Sequence, residues 1–220
     1  MDLSQRLKNF EAIQLKGDRE GIVEKAVELA NVCQQMRKHD TAIACLNKVL
    51  PVEEAGQHAV VKTALGVAYW EKAQLQKALN YFKEALTLFE EAHDSSGQVA
   101  IFSMVGITFW RKCDWDKALE ILKKGVARKN LNADPRFASL YGALDRGIVT
   151  LQNRVRMGRE LQDPLKTLQP LFSICALYWV KGNEEQFRTC LDESVALAEQ
   201  LGKTELLKAA KGIRLLGHPV

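Results

Sequence analysis

One interval recurs four times in this chain of 220 residues, more often than chance would place it, and it points to a repeated unit of paired helices. Leu65-Gly66-x-x-Tyr69 is followed, nine residues after the tyrosine, by Ala78-x-x-x-Phe82. Val105-Gly106-x-x-Phe109 leads in the same way to Ala118-x-x-x-Leu122, and Leu29-Ala30-x-x-Cys33 to Ala42-x-x-x-Leu46. The last copy runs from Ile174-Cys175-x-x-Tyr178 to Phe187-x-x-x-Leu191. Apolar positions three and four apart lie on one face of a helix, and no run alternates apolar with polar residues long enough for a strand, so the chain is expected to be all-α. Gly66, Gly106, Ala30, Ala42, Ala78 and Ala118 are small where two helix axes must come close, with Tyr69 and Phe109 filling the space beside them. Phe187 stands where a small residue is expected and should hold its helix pair further apart.

The frame resembles the tetratricopeptide repeat, with its L-G-x-x-Y and A-x-x-x-F words on two antiparallel helices. The resemblance is clearest over residues 57–127 and implies a right-handed α-solenoid of about four to five repeats closed by a capping helix. On that frame residues 1–220 are expected to form a single helical-repeat domain. It divides into an N-terminal helix (1–18), repeats at 19–52, 57–92 and 97–130, a degenerate helical segment at 134–162, a repeat at 165–202 and a cap at 203–217. The copies stand 36 and 40 residues apart, from Cys33 to Tyr69 to Phe109, whereas the usual period is about 34. The longer variety, with a period of about 40, resembles that of adaptor and regulatory proteins. Leu86, Leu88, Phe89 and Ala92 carry the apolar pattern onward and supply the extra length. Asp18, Glu53 and Asp94, each ahead of a glycine, are expected to cap the helices that follow, and Asp134-Pro135 to open the degenerate segment. Leu206, Leu207, Ala210, Ile213 and Leu216 share one face of the closing helix.

Three copies of one word, "YWEK", "FWRK" and "YWVK", pair two aromatics on consecutive residues. Neighbours on a helix point about 100° apart, so Tyr69 and Trp70 cannot serve the same face. Trp70 lines up with Val67 and Thr63, Trp110 with Ile107 and Ser103, and Trp179 with Ala176 and Phe172. In the first copy the same stripe reads Val27, Asn31 and Gln34. The resemblance implies that this stripe faces the concave groove, making Trp70, Trp110, Trp179, Thr63, Val67, Ser103, Ile107, Arg111, Phe172 and Asn31 the candidate partner contacts. Packing against the next helix is the competing role for the tryptophans. Lys72, Lys112 and Lys181 close the three words where a helix C-terminus favours a cation.

The partner expected on these grounds is a protein or peptide, and the function that of a scaffold or adaptor in the assembly or regulation of a complex. Domains of this family that bind acidic C-terminal tails resemble one another in a clamp of lysine, arginine and asparagine. Here Asn31 alone matches, with Val27, Ala64, Ala100 and Met104 at the other places, so that ligand is disfavoured. An alternative function rests on charge. Nine basic residues against two acidic ones give 123–159 a charge of +7, leaving −3 for the rest of a chain of +4. Lys123, Lys124, Arg128, Lys129, Arg154, Arg156 and Arg159 form a candidate patch for nucleic acid or an acidic partner. The chain has no helix-turn-helix or aromatic-basic RNA signature, which disfavours nucleic acid.

Catalysis, metals and membranes receive no support from the sequence. It has no G-x-S-x-G, no phosphate-cradling glycine loop and no H-E-x-x-H, and Cys113 beside Asp114 is the nearest to a reactive thiol. Its five scattered cysteines have no C-x-x-C pair and no histidine at ligand spacing, which points to reduced, buried thiols and to no metal or cofactor. No apolar run is long enough to span a bilayer and the first residues lack a secretory pattern, so a cytoplasmic location is expected. Self-association is compatible with such an array.

Overall fold

The computed structural model describes residues 2–15, 21–50, 52–125 and 134–216. Among them are eleven α-helices and no strand: α1 (Leu3–Leu15), α2 (Ile22–Gln35), α3 (His39–Asn47), α4 (Ala55–Glu71), α5 (Leu75–Glu91), α6 (Ser95–Arg111), α7 (Trp115–Gly125), α8 (Ala138–Glu160), α9 (Pro164–Val180), α10 (Glu184–Gln200) and α11 (Thr204–Leu215). A 3-10 turn at Pro135–Phe137 precedes α8.

The recurrent interval is the length of one kind of turn. At Tyr69 the carbonyl accepts the N–H of Gln74 (2.9 Å), with Ala73 between them in the left-handed conformation at φ 58°. That is the Schellman ending of a helix, in which the fifth residue on closes the last turn. Gln74 is also the N-cap of α5, and its carbonyl accepts the first helical bond from Ala78 (3.0 Å). Nine residues therefore separate the carbonyl that closes one helix from the N–H that opens the next. The same bonds and the same left-handed residue recur at Arg37, His93, Cys113, Gln162, Gly182 and Gly202. Helices α4, α5, α6, α9 and α10 all have 17 residues. With three residues in each turn, two helices and two turns make the 40-residue spacing from Gly66 to Gly106.

The contacts gather into two compact units, Met1–Ile101 with Asp134–Ala143, and Phe102–Ala133 with Leu144–Val220. The boundaries fall inside α6 and α8.

In the first unit α4 and α5 run antiparallel: Lys62 pairs with Glu84 (2.7 Å), Tyr69 stacks on Tyr81 (5.3 Å), and Gly66 faces Phe82. A Cβ on Gly66 would lie 2.5 Å from the Phe82 ring, so the glycine is what lets the two helices meet. Leu29, Ala30, Cys33, Ala42, Leu46 and Leu65 make the centre of the core. Lys72 bonds Asp40, which is in the first turn of α3, so its partner is a carboxylate as well as the helix end.

The expected caps divide. Asp94 accepts the N–H of Gly97 at 2.9 Å, whereas the N-cap of α4 is Glu54, whose side chain makes no capping bond. Asp18 lies outside the described residues. Asp134 caps the 3-10 turn through the N–H of Arg136. Phe137 meets Phe89 edge to face at 5.8 Å and brings this returning segment onto the first unit.

In the second unit Gly106 faces Leu122 and Lys117 lies over Phe109, which fixes α6 and α7 as another antiparallel pair. Gly158 of α8 meets Thr167 of α9, and Gln152 donates to the hydroxyl of Tyr178 at 2.8 Å. Phe187 is buried, and Cys175 Sγ and Ser194 Oγ across α9 and α10 are 3.8 Å apart. Lys181 bonds Asp145 as Lys72 bonds Asp40. Helix α11 lies parallel to α7, with Leu119 against Gly212 and Lys208 paired to Asp116 at 3.4 Å. Its buried face is Leu206, Ala209, Ala210 and Ile213, one step rotated from the expected set; Leu207 and Leu216 are only half-buried.

Candidate functional site

The stripe singled out by sequence is mostly interior. Trp70, Trp110 and Trp179 are each 2% exposed, and Thr63, Val67, Ser103, Ile107 and Phe172 are buried with them. The Thr63 hydroxyl is spent on the carbonyl of Ala59 at 2.8 Å. Arg111 is half-buried, and burial together with the nearby Arg154 lowers its pKa. Two members of the stripe, Trp110 and Phe172, come together at the wall of a cleft in the second unit, and Asn31 lines a cavity in the first.

The cleft of the second unit has a volume of about 440 Å3. Its wall is aromatic: Trp110 packs on Phe172 with centroids 4.7 Å apart, and Trp115 meets Phe172 edge to face at 5.8 Å. The Trp110 indole N–H donates to the carbonyl of Phe172 at 2.9 Å, which fixes the indole against α9. Leu165, Leu168 and Leu206 extend the apolar lining, while Gln169, Ser173, Thr204 and Glu205 supply polar groups. Leu165, in the first turn of α9, is 54% exposed. Cys113 stands at the rim, exposed, at the left-handed turn between α6 and α7. The sequence pattern missed Trp115 and Leu165 because each sits in the first turn of its helix, where the core stripe is not yet established.

The cavity of the first unit, about 450 Å3, is lined by one stripe of α2 (Glu24, Val27, Glu28, Asn31), by Gln57 and Val60 of α4, and by Pro135, Arg136, Ala138 and Ser139. The side-chain oxygen of Asn31 is buried and accepts no hydrogen bond among the described residues. Glu28 pairs with Lys25 at 2.9 Å. Arg136 is held by Asp94 (2.5 Å) and by Asp134 (2.6 Å). Burial raises the Asp94 carboxyl, but hydrogen bonds from Arg136 and from the Gly97 N–H overcome it and leave the group below its usual range. Asp134 is lowered chiefly by its bond from Arg136, against burial.

Three of the five described residues of the basic patch are paired. Lys124 meets Glu120, Arg156 meets Glu160 and Arg159 meets Glu193. Arg154 is exposed on α8, Lys123 on the last turn of α7, and Arg128 and Lys129 lie outside the described residues. Three of the five cysteines, Cys33, Cys45 and Cys175, are buried as expected; Cys190 is half-buried, and Cys113 is exposed, contrary to the expectation of buried thiols. Among the described residues no cluster of three or more histidine, cysteine, aspartate or glutamate side chains has metal-binding geometry, and no helix is long and apolar enough to cross a membrane.

No curated protein matches the chain. Among solved structures it is similar to BtubC from P. vanneervenii at 16% identity, covering 91% of each chain with a TM-score of 0.45. A putative kinesin light chain of Podosopora anserina with nearly identical repeats is 18% identical over 81% of this chain and 96% of that one, with a TM-score of 0.44. YrrB, described as a repeat protein with an unusual peptide-binding site, is 19% identical over 91% and 96%, with a TM-score of 0.43. A tetratricopeptide-repeat family model matches residues 22–91 and again 57–130, the stretch in which Gly66 faces Phe82 and Gly106 faces Leu122, and the chain belongs to the tetratricopeptide-repeat family.

Proposed function

We propose that this protein is a non-catalytic adaptor of the cytoplasm, and that the aromatic cleft of its second unit receives an apolar side chain from a segment of a partner protein. One observation carries the proposal: Trp110, Trp115 and Phe172 are fixed to one another, yet leave an open apolar cleft beside the exposed Leu165. A pre-formed pocket of this kind suits an anchor residue, because neither wall must be ordered when the partner arrives. The family frame supports it, since tetratricopeptide repeats are protein-binding scaffolds. Contact with nucleic acid or an acidic partner through 123–159 has less support, because Lys124, Arg156 and Arg159 already have carboxylate partners.

The test is selection of displayed random peptides on the full chain. Peptides with a large apolar residue at a fixed position should be enriched. They should lose at least about tenfold in affinity on Leu165→Glu or on Ser173→Trp, which fills the cleft. Enrichment of peptides indifferent to both substitutions would overturn the proposal, as would no enrichment at all.

A further inference from the structure

We propose that the cavity of the first unit is a second, separate site, and that it receives the guanidinium of an arginine carried by an extended segment of a partner protein. Glu24 and Glu28 stand one turn apart on α2, so both carboxylates project from the stripe that lines the cavity. The cation on the opposite wall, Arg136, is taken up by Asp94 and Asp134; on the outer side of α2 Lys25 pairs with Glu28, and Arg6 lies beside them. Among the described residues, the cavity lining itself thus carries two carboxylates, Glu24 and Glu28, against one cation, Arg136, whose charge is taken up by Asp94 and Asp134.

The chemistry that answers such a wall is a cation with donors pointing in several directions. A guanidinium presents five N–H groups in a planar fork and reaches two separated acceptors at once, whereas an ammonium concentrates its charge at one point. Val27 and Val60 offer apolar surface for the methylene stem. Asn31, on the same stripe, adds a side-chain oxygen without a hydrogen bond among the described residues. Free arginine brings an α-carboxylate and an α-ammonium, both strongly hydrated, which the low-dielectric valine surface around the stem would have to strip of water; an arginine within a chain has neutral peptide groups in their place, which is why the site favours it.

Titration of the isotope-labelled full chain with acetyl-Ala-Arg-Ala-amide, followed by amide NMR, tests this. Shifts should concentrate at Glu24, Glu28 and Asn31. Replacing arginine by citrulline, its neutral isostere, should weaken binding about tenfold, and Glu24→Gln about threefold, the scale of exposed charge pairs. Raising the salt from about 50 to about 300 mM should weaken it further. Free arginine should bind less well than the capped peptide, and Ser173→Trp in the other unit should change nothing. Glu24 and Glu28 are exposed, so their glutamine variants retain the fold, which circular dichroism checks. Equal binding of the citrulline peptide, shifts that spare α2, or free arginine binding as well as the peptide would each overturn the proposal. None of these bears on the aromatic cleft, whose own variants lie in the second unit.

Discussion

Ala73 and Gly182 occupy the same place in two copies of one turn, with φ of 58° and 66°. An L-residue with a Cβ is disfavoured there by about 1 kcal/mol or more, and glycine is not. Ala73→Gly should therefore stabilise the chain by about 1 kcal/mol in urea denaturation, and Gly182→Ala should cost a similar amount. Stabilisation by Ala73→Gly together with destabilisation by Gly182→Ala is the outcome to look for, because a dominant effect of glycine on the unfolded chain would reverse both signs. Trp110 shows where residue-level reading from sequence stops. Its stripe was legible, but not whether the stripe is open, because exposure depends on what packs over it. Buried and bonded to the carbonyl of Phe172, Trp110 should cost about 3–5 kcal/mol of stability when replaced by alanine, rather than affinity alone. Cys113 reverses the error: predicted buried, it is exposed, whereas burial pushes the Cys33 and Cys190 thiols up to about 11 and raises that of Cys175 as well. Under native conditions near pH 8 a maleimide should label Cys113 first, as peptide mass mapping would report, and a bulky adduct there should block the aromatic cleft.

At the scale of helices, the sequence was most legible where close approach demands a small residue. Gly66 and Gly106 were identified as such, and each faces a large side chain, Phe82 or Leu122, that a Cβ would strike at 2.5 Å. Phe82 is itself fully buried and has little room to move. Gly66→Ala should cost about 1–3 kcal/mol, the range for overpacking a well-filled core. In the Phe82→Leu background the same alanine should cost distinctly less. A double-mutant cycle by denaturant unfolding reads the difference, and strict additivity would mean that the ring is not the obstacle. Three of the seven turns of this kind among the described residues escaped notice. The interval from Tyr69 to Ala78 stands out because an aromatic and an alanine mark its ends, but Phe89 to Gln98, Gly158 to Thr167 and Ala198 to Leu207 have the same bonds with unrelated side chains. Backbone geometry imposes the interval at all of them; side-chain packing advertises it only between the helices of one repeat.

For the molecule as a whole, the feature least visible in the sequence is the return of Asp134–Ala143 to the first unit, across more than thirty intervening residues. Asp134-Pro135 was legible as a helix start, but no local pattern says which earlier turn it meets. Phe137 against Phe89 supplies the apolar part of that junction, and Arg136, forked between Asp94 and Asp134, supplies the charged part. Both carboxyls titrate below the free value of about 3.9. A group lowered by folding adds stability above its unfolded pKa and loses it as the pH falls through the folded value, so this junction should weaken only below about pH 4. Removing the guanidinium changes the sign at Asp94. Burial is the largest influence on that carboxyl and raises it; without Arg136 only the N–H of Gly97 opposes burial. In Arg136→Ala the Asp94 pKa should rise, so its contribution should turn into a cost that is present where the buried carboxylate is ionised and is relieved as the pH falls and it takes up its proton. The amide of Gly97, bonded to Asp94 at 2.9 Å, reports the titration directly by NMR. Its midpoint should lie below about 3.9 in the wild type and above it in Arg136→Ala. Amide exchange over 138–143, corrected for its intrinsic pH dependence, should then be faster than in the wild type at neutral pH and regain protection as the pH is lowered, in the variant alone. An unchanged midpoint would mean that the junction is held by Phe137 and its neighbours, with Arg136 only satisfying the charges of its two partners.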